Sequence, residues 1–156
     1  MAKTPAGELA SSFGDADAMR DLYAPTVEWQ ISRSLGVPAQ IGIDAVSAFN
    51  AQVWTIHHRP DCTVTILDEV GDAANSAVRF RYRAWSLICE DWYENEYTLF
   101  VRSGPDGIET VVEGFDSAAA IDFYARRPLG SGWAALEGAV GDGVEELGRS
   151  KMGQGH

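Results

Sequence analysis

The segment 108–116, IETVVEGFD, places a carboxylate, Glu113, among β-branched and aromatic residues that otherwise read as a strand. An acid buried without a cationic partner is costly, and its pKa is driven up toward neutrality, where it can give and take protons. Local periodicity leaves the side of the strand open. If Val111, Glu113 and Phe115 share a face, their bulk suggests the interior, with Phe115 in a pocket wall. The opposite phase, Thr110, Val112, Gly114 and Asp116, is smaller, and if it is the inner one then Glu113 is an ordinary solvent-facing residue. Asp116 stands directly before SAAAIDF, with Ser117 beside it, and is placed to cap a helix.

The strand WYENEYTLFV offers groups that could work with such an acid. Tyr93, Asn95, Tyr97, Leu99 and Val101 share one face, and Glu94 and Glu96 the other. Asn and Tyr donate hydrogen bonds without carrying charge, which suits a carbonyl or developing enolate oxygen. Equally, Tyr97 reads as plain core and Asn95 as a ligand of the backbone. Tyr82 and Ser86, on the apolar face of the preceding strand, fit the same cavity, and Trp29 and Ile31 supply a wall. Phe49 and Val53 add to it from a helix that ends in His57 and His58. An imidazole there is well placed against the helix dipole, and His57 is the candidate for the pocket mouth. A metal site from His57, His58, Asp61 and Cys62 is disfavoured, because adjacent helical residues point about 100° apart. Neither a metal nor a cofactor is expected.

The elements that must hold these residues are legible from period and punctuation. Residues 7–24 carry Leu9, Phe13, Ala16, Met19, Leu22 and Tyr23 at helical spacing, broken at Gly14, with Asp15 able to cap a second half running to Tyr23 and Pro25 closing it. TVEWQISR reads as extended. IDAVSAFNAQVWTIHH repeats Ile43, Val46, Phe49, Val53 and Ile56 at helical intervals and is closed by Pro60. From Cys62 the period becomes two. CTVTILDEV, AVRFRYRAWSLI, WYENEYTLFVR and IETVVEGFD are consecutive antiparallel strands, and SAAAIDFYAR is a final helix. The order predicts an α+β domain over residues 1–127, with helices on one face of a curved antiparallel sheet. Arg79, Arg81 and Arg83 form a basic ladder on the outer face, expected to pair with Glu94 and Glu96. Residues 128–156 form a Gly-rich extension in which Trp133, Leu136, Val140, Val144 and Leu147 keep the spacing of a weak amphipathic helix.

Twelve basic residues against 23 acidic ones give a net charge of −11, which repels phosphate backbones and anionic membranes. No apolar run reaches the ~20 residues of a membrane span, and no leader is legible, so a cytoplasmic location is expected. Cys62 and Cys89 fit reduced, semi-buried residues better than a disulfide framework.

Several of these segments in order resemble the SnoaL-like polyketide cyclase and ketosteroid isomerase superfamily. They are DLYAPTVEW (21–29), IGIDAVSAF (41–49), YENEYTLFV (93–101), the turn DGI (106–108) and VVEGFDSAAA (111–120). The resemblance covers roughly residues 7–126. It implies a cystatin-like, nuclear transport factor 2-like cone, in which the sheet and the N-terminal helices enclose a pocket, and dimerisation through the outer sheet face. It also implies a role for Glu113. EGFD is similar to the last-strand segment where phenazine-biosynthesis proteins of this superfamily carry a cavity glutamate and limonene epoxide hydrolases an aspartate. Other signatures are missing. The place of the ketosteroid isomerase general base is held by Trp29, and the epoxide hydrolase Arg-x-Asp pair falls at Asn95 and Tyr97. The chemistry implied is general acid/base proton transfer by Glu113 on an apolar ring or carbonyl substrate, with Asn95 and Tyr97 holding a carbonyl oxygen: polyketide-type cyclisation, isomerisation or dehydration. The alternative is a non-catalytic binding or assembly module of the same fold.

Overall fold

A computed structural model of the chain describes residues 2–32 and 35–126. The extension 128–156, with its expected helix, lies outside the described residues. α1 (Pro5–Ser11) is capped by the Thr4 hydroxyl, which accepts the Gly7 N–H, and α2 (Ala16–Arg20) by the Asp15 carboxylate, which accepts the Ala18 N–H. Gly14 separates them at φ +98°, where an added Cβ would collide with the Pro60 carbonyl oxygen. Ala6, Leu9, Ala10 and Met19 are buried by these two helices.

β1 (Tyr23–Gln30) begins three residues after α2. Pro25 therefore lies inside a strand rather than closing a helix, next to a register irregularity between Tyr23 and Glu28 that spares the ladder its missing N–H. β2 (Gln40–Ile41), β3 (Thr63–Gly71), β4 (Asn75–Ser86), β5 (Asp91–Gly104) and β6 (Gly107–Phe115) complete one curved, unclosed sheet in the order β2-β1-β6-β5-β4-β3. The consecutive antiparallel expectation holds from β3 to β6. The other edge lies outside that expectation: there β1 runs parallel to β6 and the two-residue β2 adds to β1.

Alternation in β4 and β5 sorts the faces. Val78, Phe80, Tyr82, Ala84, Tyr93, Asn95, Tyr97, Leu99 and Val101 are buried on the inner face. On the outer face Arg79 donates to Asp68 and Glu96, each at 2.8 Å, while Arg81 and Arg83 lie 3.6 and 3.8 Å from Glu94. Such exposed pairs contribute little stability, roughly 0–1 kcal/mol each.

The long helix departs from its sequence pattern at its end. α3 (Ile43–Gln52) is a regular α-helix, but Val53–His57 is one turn of π-helix, closed by the His58 N–H donating to the Val53 carbonyl at 2.7 Å. One extra residue per turn rotates the apolar face. Ile56, inward at α spacing, is 42% exposed, while Trp54 and His58 are buried. α4 (Ser117–Ala125) starts at Asp116, whose carboxylate accepts the Ala119 N–H, and it lays Phe123 and Tyr124 against Tyr93 on the inner face. No helix among the described residues is long and apolar enough to cross a membrane.

Candidate active site

Register decides the orientation of Glu113. It stands opposite Leu99, and Phe115 opposite Tyr97, and directly opposed residues of an antiparallel pair point to the same face. Both partners are inner-face residues, so Glu113 and Phe115 face inward with Val111. Trp29 sits opposite Val111 on the other flank of β6, and its indole Nε1–H donates to Glu113 Oε2 at 2.8 Å. Oε1 has no hydrogen-bond partner among the described residues. Desolvation pushes the carboxyl up to about 7, and the Trp29 N–H, which favours the ionised form, holds it back from rising further. A half-buried acid poised there exchanges its proton at neutral pH.

Phenols surround it. Phe115 lies tilted against the Tyr97 ring at 5.1 Å, and Tyr23 approaches Trp29 edge-on at 6.3 Å with its hydroxyl donating to the buried Asn50 Oδ1 at 2.6 Å. Tyr23, Tyr93 and Tyr97 have pKa values raised first by burial and further by the charge of Glu113. All three stay protonated as hydrogen-bond donors at neutral pH.

Asn95 leaves no part of its amide free. Its Nδ2 donates to the Tyr93 hydroxyl and to the Asp116 carbonyl, both at 2.9 Å. Its Oδ1 accepts the N–H of Glu96 at 2.7 Å and of Asp116 at 3.2 Å. Both donors and both lone pairs are used, three of them on backbone. The hydroxyls of Tyr93 and Tyr97 lie 3.0 Å apart.

Of the two histidines, the π-turn brings His58 rather than His57 into the interior. His58 Nδ1 is 2.8 Å from the Tyr82 hydroxyl, which also accepts the Trp54 indole N–H at 3.0 Å, and Nε2 is 2.6 Å from the Tyr124 hydroxyl. Burial, and then the neighbouring His57, push its pKa down to about 3, so the ring is neutral. His57 is partly buried beside it, with its own pKa lowered by burial. Tyr82 thus belongs to a closed cluster that docks α3 and α4 on the sheet. Ser86, also buried, turns its hydroxyl to the Cys89 N–H in the β4–β5 turn at 3.1 Å. Phe49 and Val53 are partly buried against the core.

The structure therefore gathers Glu113, Trp29, Tyr93, Tyr97 and Phe115 on one inner wall, separates Asn95, Tyr82 and Ser86 into structural bonds, and leaves His57 outside both groups. It adds Tyr23, Asn50, Trp54, His58 and Tyr124, which the sequence reading did not single out as site residues. Four of the five tyrosines, Tyr23, Tyr82, Tyr93 and Tyr97, lie in one core cluster from three strands, and Tyr124 packs against it from α4. No described Lys or Arg is buried. Among the described residues, no group of three or more His, Cys, Asp or Glu is arranged to hold a metal ion.

No family model matches the chain. No curated protein matches its sequence. Its fold is matched by solved structures. A protein classed as a SnoaL-like polyketide cyclase from Jannaschia sp. CCS1 superposes with a TM-score of 0.65 at 14% identity, over 80% of this chain and 94% of that one. A protein with a ketosteroid isomerase-like fold from Catenulispora acidiphila, solved with trimethylamine, gives 0.65 at 10% identity, over 78% and 92%. The pinacolase BvnE from Penicillium brevicompactum gives 0.64 at 19% identity, over 76% and 85%. The chain has the α+β fold shared by SnoaL-like polyketide cyclases and ketosteroid isomerase-like proteins, the nuclear transport factor 2-like fold.

Proposed function

We propose that the protein is an acid/base catalyst of proton transfer on an uncharged, apolar ring or carbonyl compound, in a cyclisation, isomerisation or dehydration. One observation carries this reading: an inward carboxyl that titrates near neutrality, held through one oxygen by Trp29 and open at the other. Glu113 takes a proton from carbon and returns it to oxygen or carbon, while the Tyr97 phenol donates a hydrogen bond to the oxygen on which negative charge develops. An uncharged substrate suits a wall on which the described residues bury no cation. The likeness to a SnoaL-like cyclase and to a pinacolase supports an enzyme on this fold.

The test is the exchange of the α-protons of 2-tetralone, an apolar bicyclic ketone, for deuterium in D2O, followed by NMR. The wild-type protein is expected to accelerate exchange with a midpoint near pH 7, and Glu113→Gln to lose about 10²–10⁴ of the acceleration. Equal rates for wild type and Glu113→Gln overturn the reading in favour of a non-catalytic binding module.

The outer sheet face is our proposed surface for a second copy of the chain. Phe100 and Val112, cross-strand partners, are 60% and 39% exposed there beside the interleaved Arg and Glu rows, which a two-fold copy would meet with rows of opposite sign. Sedimentation of wild type as a dimer, and of Phe100→Glu as a monomer, is the expected result.

A further inference from the structure

We propose that Asn50 is a ligand-binding residue: its amide nitrogen donates to an uncharged oxygen of the ligand, a carbonyl or a hydroxyl, and Tyr23 is the positioning residue that holds the amide in that direction. The ligand's chemistry rests on the acid/base reading above; the orientation of the amide does not.

α3 buries Val46 and Asn50, one turn apart on the same face, with Phe49 and Val53 partly buried beside them. Asn50 is 3% exposed in this apolar company. Buried polar groups are as a rule hydrogen-bonded, because an orphan loses its hydration and gains nothing in return. Asn50 meets only half of that demand. Its Oδ1 accepts the Tyr23 O–H at 2.6 Å, while Nδ2, with two hydrogens to give, has no partner among the described residues. The two ends of the amide are not interchangeable. A separation of 2.6 Å suits O–H···O, whereas N–H···O bonds run at about 2.7–3.2 Å. Tyr23 keeps its proton at neutral pH, its pKa raised first by burial and then by the Glu113 charge. Its O–H therefore claims the oxygen and leaves the nitrogen on the other side.

The nitrogen itself is not closed in. Among the described residues, the buried side-chain polar atoms that are both sealed and without a partner are Ser47 Oγ and Ser103 Oγ. Asn50 Nδ2 is not one of them, so it borders space that a ligand atom can enter. Ser47, one turn earlier on α3, shows the contrast: its hydroxyl is also unbonded, but nothing can reach it. A short chain of contacts joins this donor to the acid. α3 packs on β1, where Tyr23 stands edge-on to Trp29, and Trp29 donates to Glu113. An amide donor carries no charge, and no described Lys or Arg is buried, so the oxygen it meets is an uncharged one. A carbonyl oxygen has two lone pairs and can take this donor beside the Tyr97 phenol.

The test reads the Asn50 amide directly. In 15N-labelled wild-type protein its side-chain NH2 resonances are followed while 2-tetralone is added, with tetralin, the same rings without the carbonyl, as the reference. The expected result is a downfield shift of one Nδ2 proton with 2-tetralone and none with tetralin. A resonance that 2-tetralone leaves in place, or that tetralin moves as far, overturns the proposal. Asn50→Leu keeps the bulk and removes the amide. It should weaken 2-tetralone binding about tenfold and leave tetralin binding unchanged. An equal change for both ligands would mean that the side chain only shapes the space, and overturns the proposal too. Should that variant not fold, the wild-type titration still decides. Tyr23→Phe keeps both Nδ2 hydrogens but lets the amide turn, so it should narrow the difference in affinity between 2-tetralone and tetralin. A difference that stays at its wild-type value overturns the role given to Tyr23. Failure of the acid/base reading shows as equal deuterium exchange in wild type and Glu113→Gln, whereas failure of this inference shows in the Asn50 resonance.

Discussion

The indole N–H of Trp29 reaches across from β1 to Glu113 Oε2 on β6 at 2.8 Å, joining the two strands that pair in parallel. A tryptophan donor is fixed in direction and carries no charge. It stabilises the carboxylate without neutralising it, so burial still dominates and the acid remains near pH 7. Trp29→Phe keeps most of the ring and removes the N–H. The Glu113 midpoint, followed by the 13C shift of its carboxyl carbon, should then rise by about one pH unit. A midpoint that stays in place or falls would show that the indole does not set the acid.

Glu113 also makes stability depend on pH. Its folded pKa, about 7, lies above its ordinary value of 4.5. The folded state therefore holds a proton that the unfolded chain releases between those values. The contribution is fully present below pH 4.5 and is lost as pH rises through 7. Glu113→Gln removes the cost of the buried charge. It should be more stable than wild type at pH 8, by up to about 3 kcal/mol, with the difference shrinking toward pH 4.5. Urea unfolding at pH 5 and pH 8 measures this. A gain that is larger at pH 5 contradicts the assignment.

His58 acts in the opposite sense. Its pKa falls from 6.5 to about 3 on folding, so the unfolded chain takes up a proton that the buried ring refuses. Its contribution is complete above pH 6.5 and is lost as pH falls toward 3. His57 adds to the same loss. His58→Gln should cost about 1–3 kcal/mol at pH 7, because Tyr82 and Tyr124 lose bonds at 2.8 and 2.6 Å. Between pH 6.5 and 4.5, however, it should lose less stability than wild type. Equal acid losses in the two proteins would mean that His58 is protonated in the fold.

Much of this arrangement was legible in the residues. The split helix at Gly14, the capping roles of Asp15 and Asp116 and the strand boundaries of β3 to β6 follow from local rules that act within a few residues, and the Arg–Glu stripe from one hairpin joining adjacent strands. What was not legible depends on partners distant in sequence. The face of Glu113 is set by Leu99, and the parallel pairing of β1 with β6 joins residues more than 80 positions apart, which no local period encodes. Asn95 reads equally as a functional amide and as a ligand of the backbone until Asp116 takes two of its four bonds. At His57 the helical rule itself failed, because four residues per step from Val53 lead to His57 and five lead to His58.

That surplus residue can be removed. The π-turn contains exposed Thr55 and Ile56, and a π-turn is a regular helix with one residue inserted. Deleting Ile56 should restore i→i+4 bonding from Val53 to the histidine now numbered His58 without changing what that ring faces, since both the helix before and the strand bridge to Ser86 after it keep their places. It also removes an exposed aliphatic side chain, so the expected change in stability is within about 1 kcal/mol. The readout is the 15N spectrum of the imidazole, in which the deletion variant should keep the shifts of a neutral ring bonded at both nitrogens. The opposite result, a His58 ring that titrates as an exposed imidazole, would mean that the shortened turn no longer reaches Tyr82.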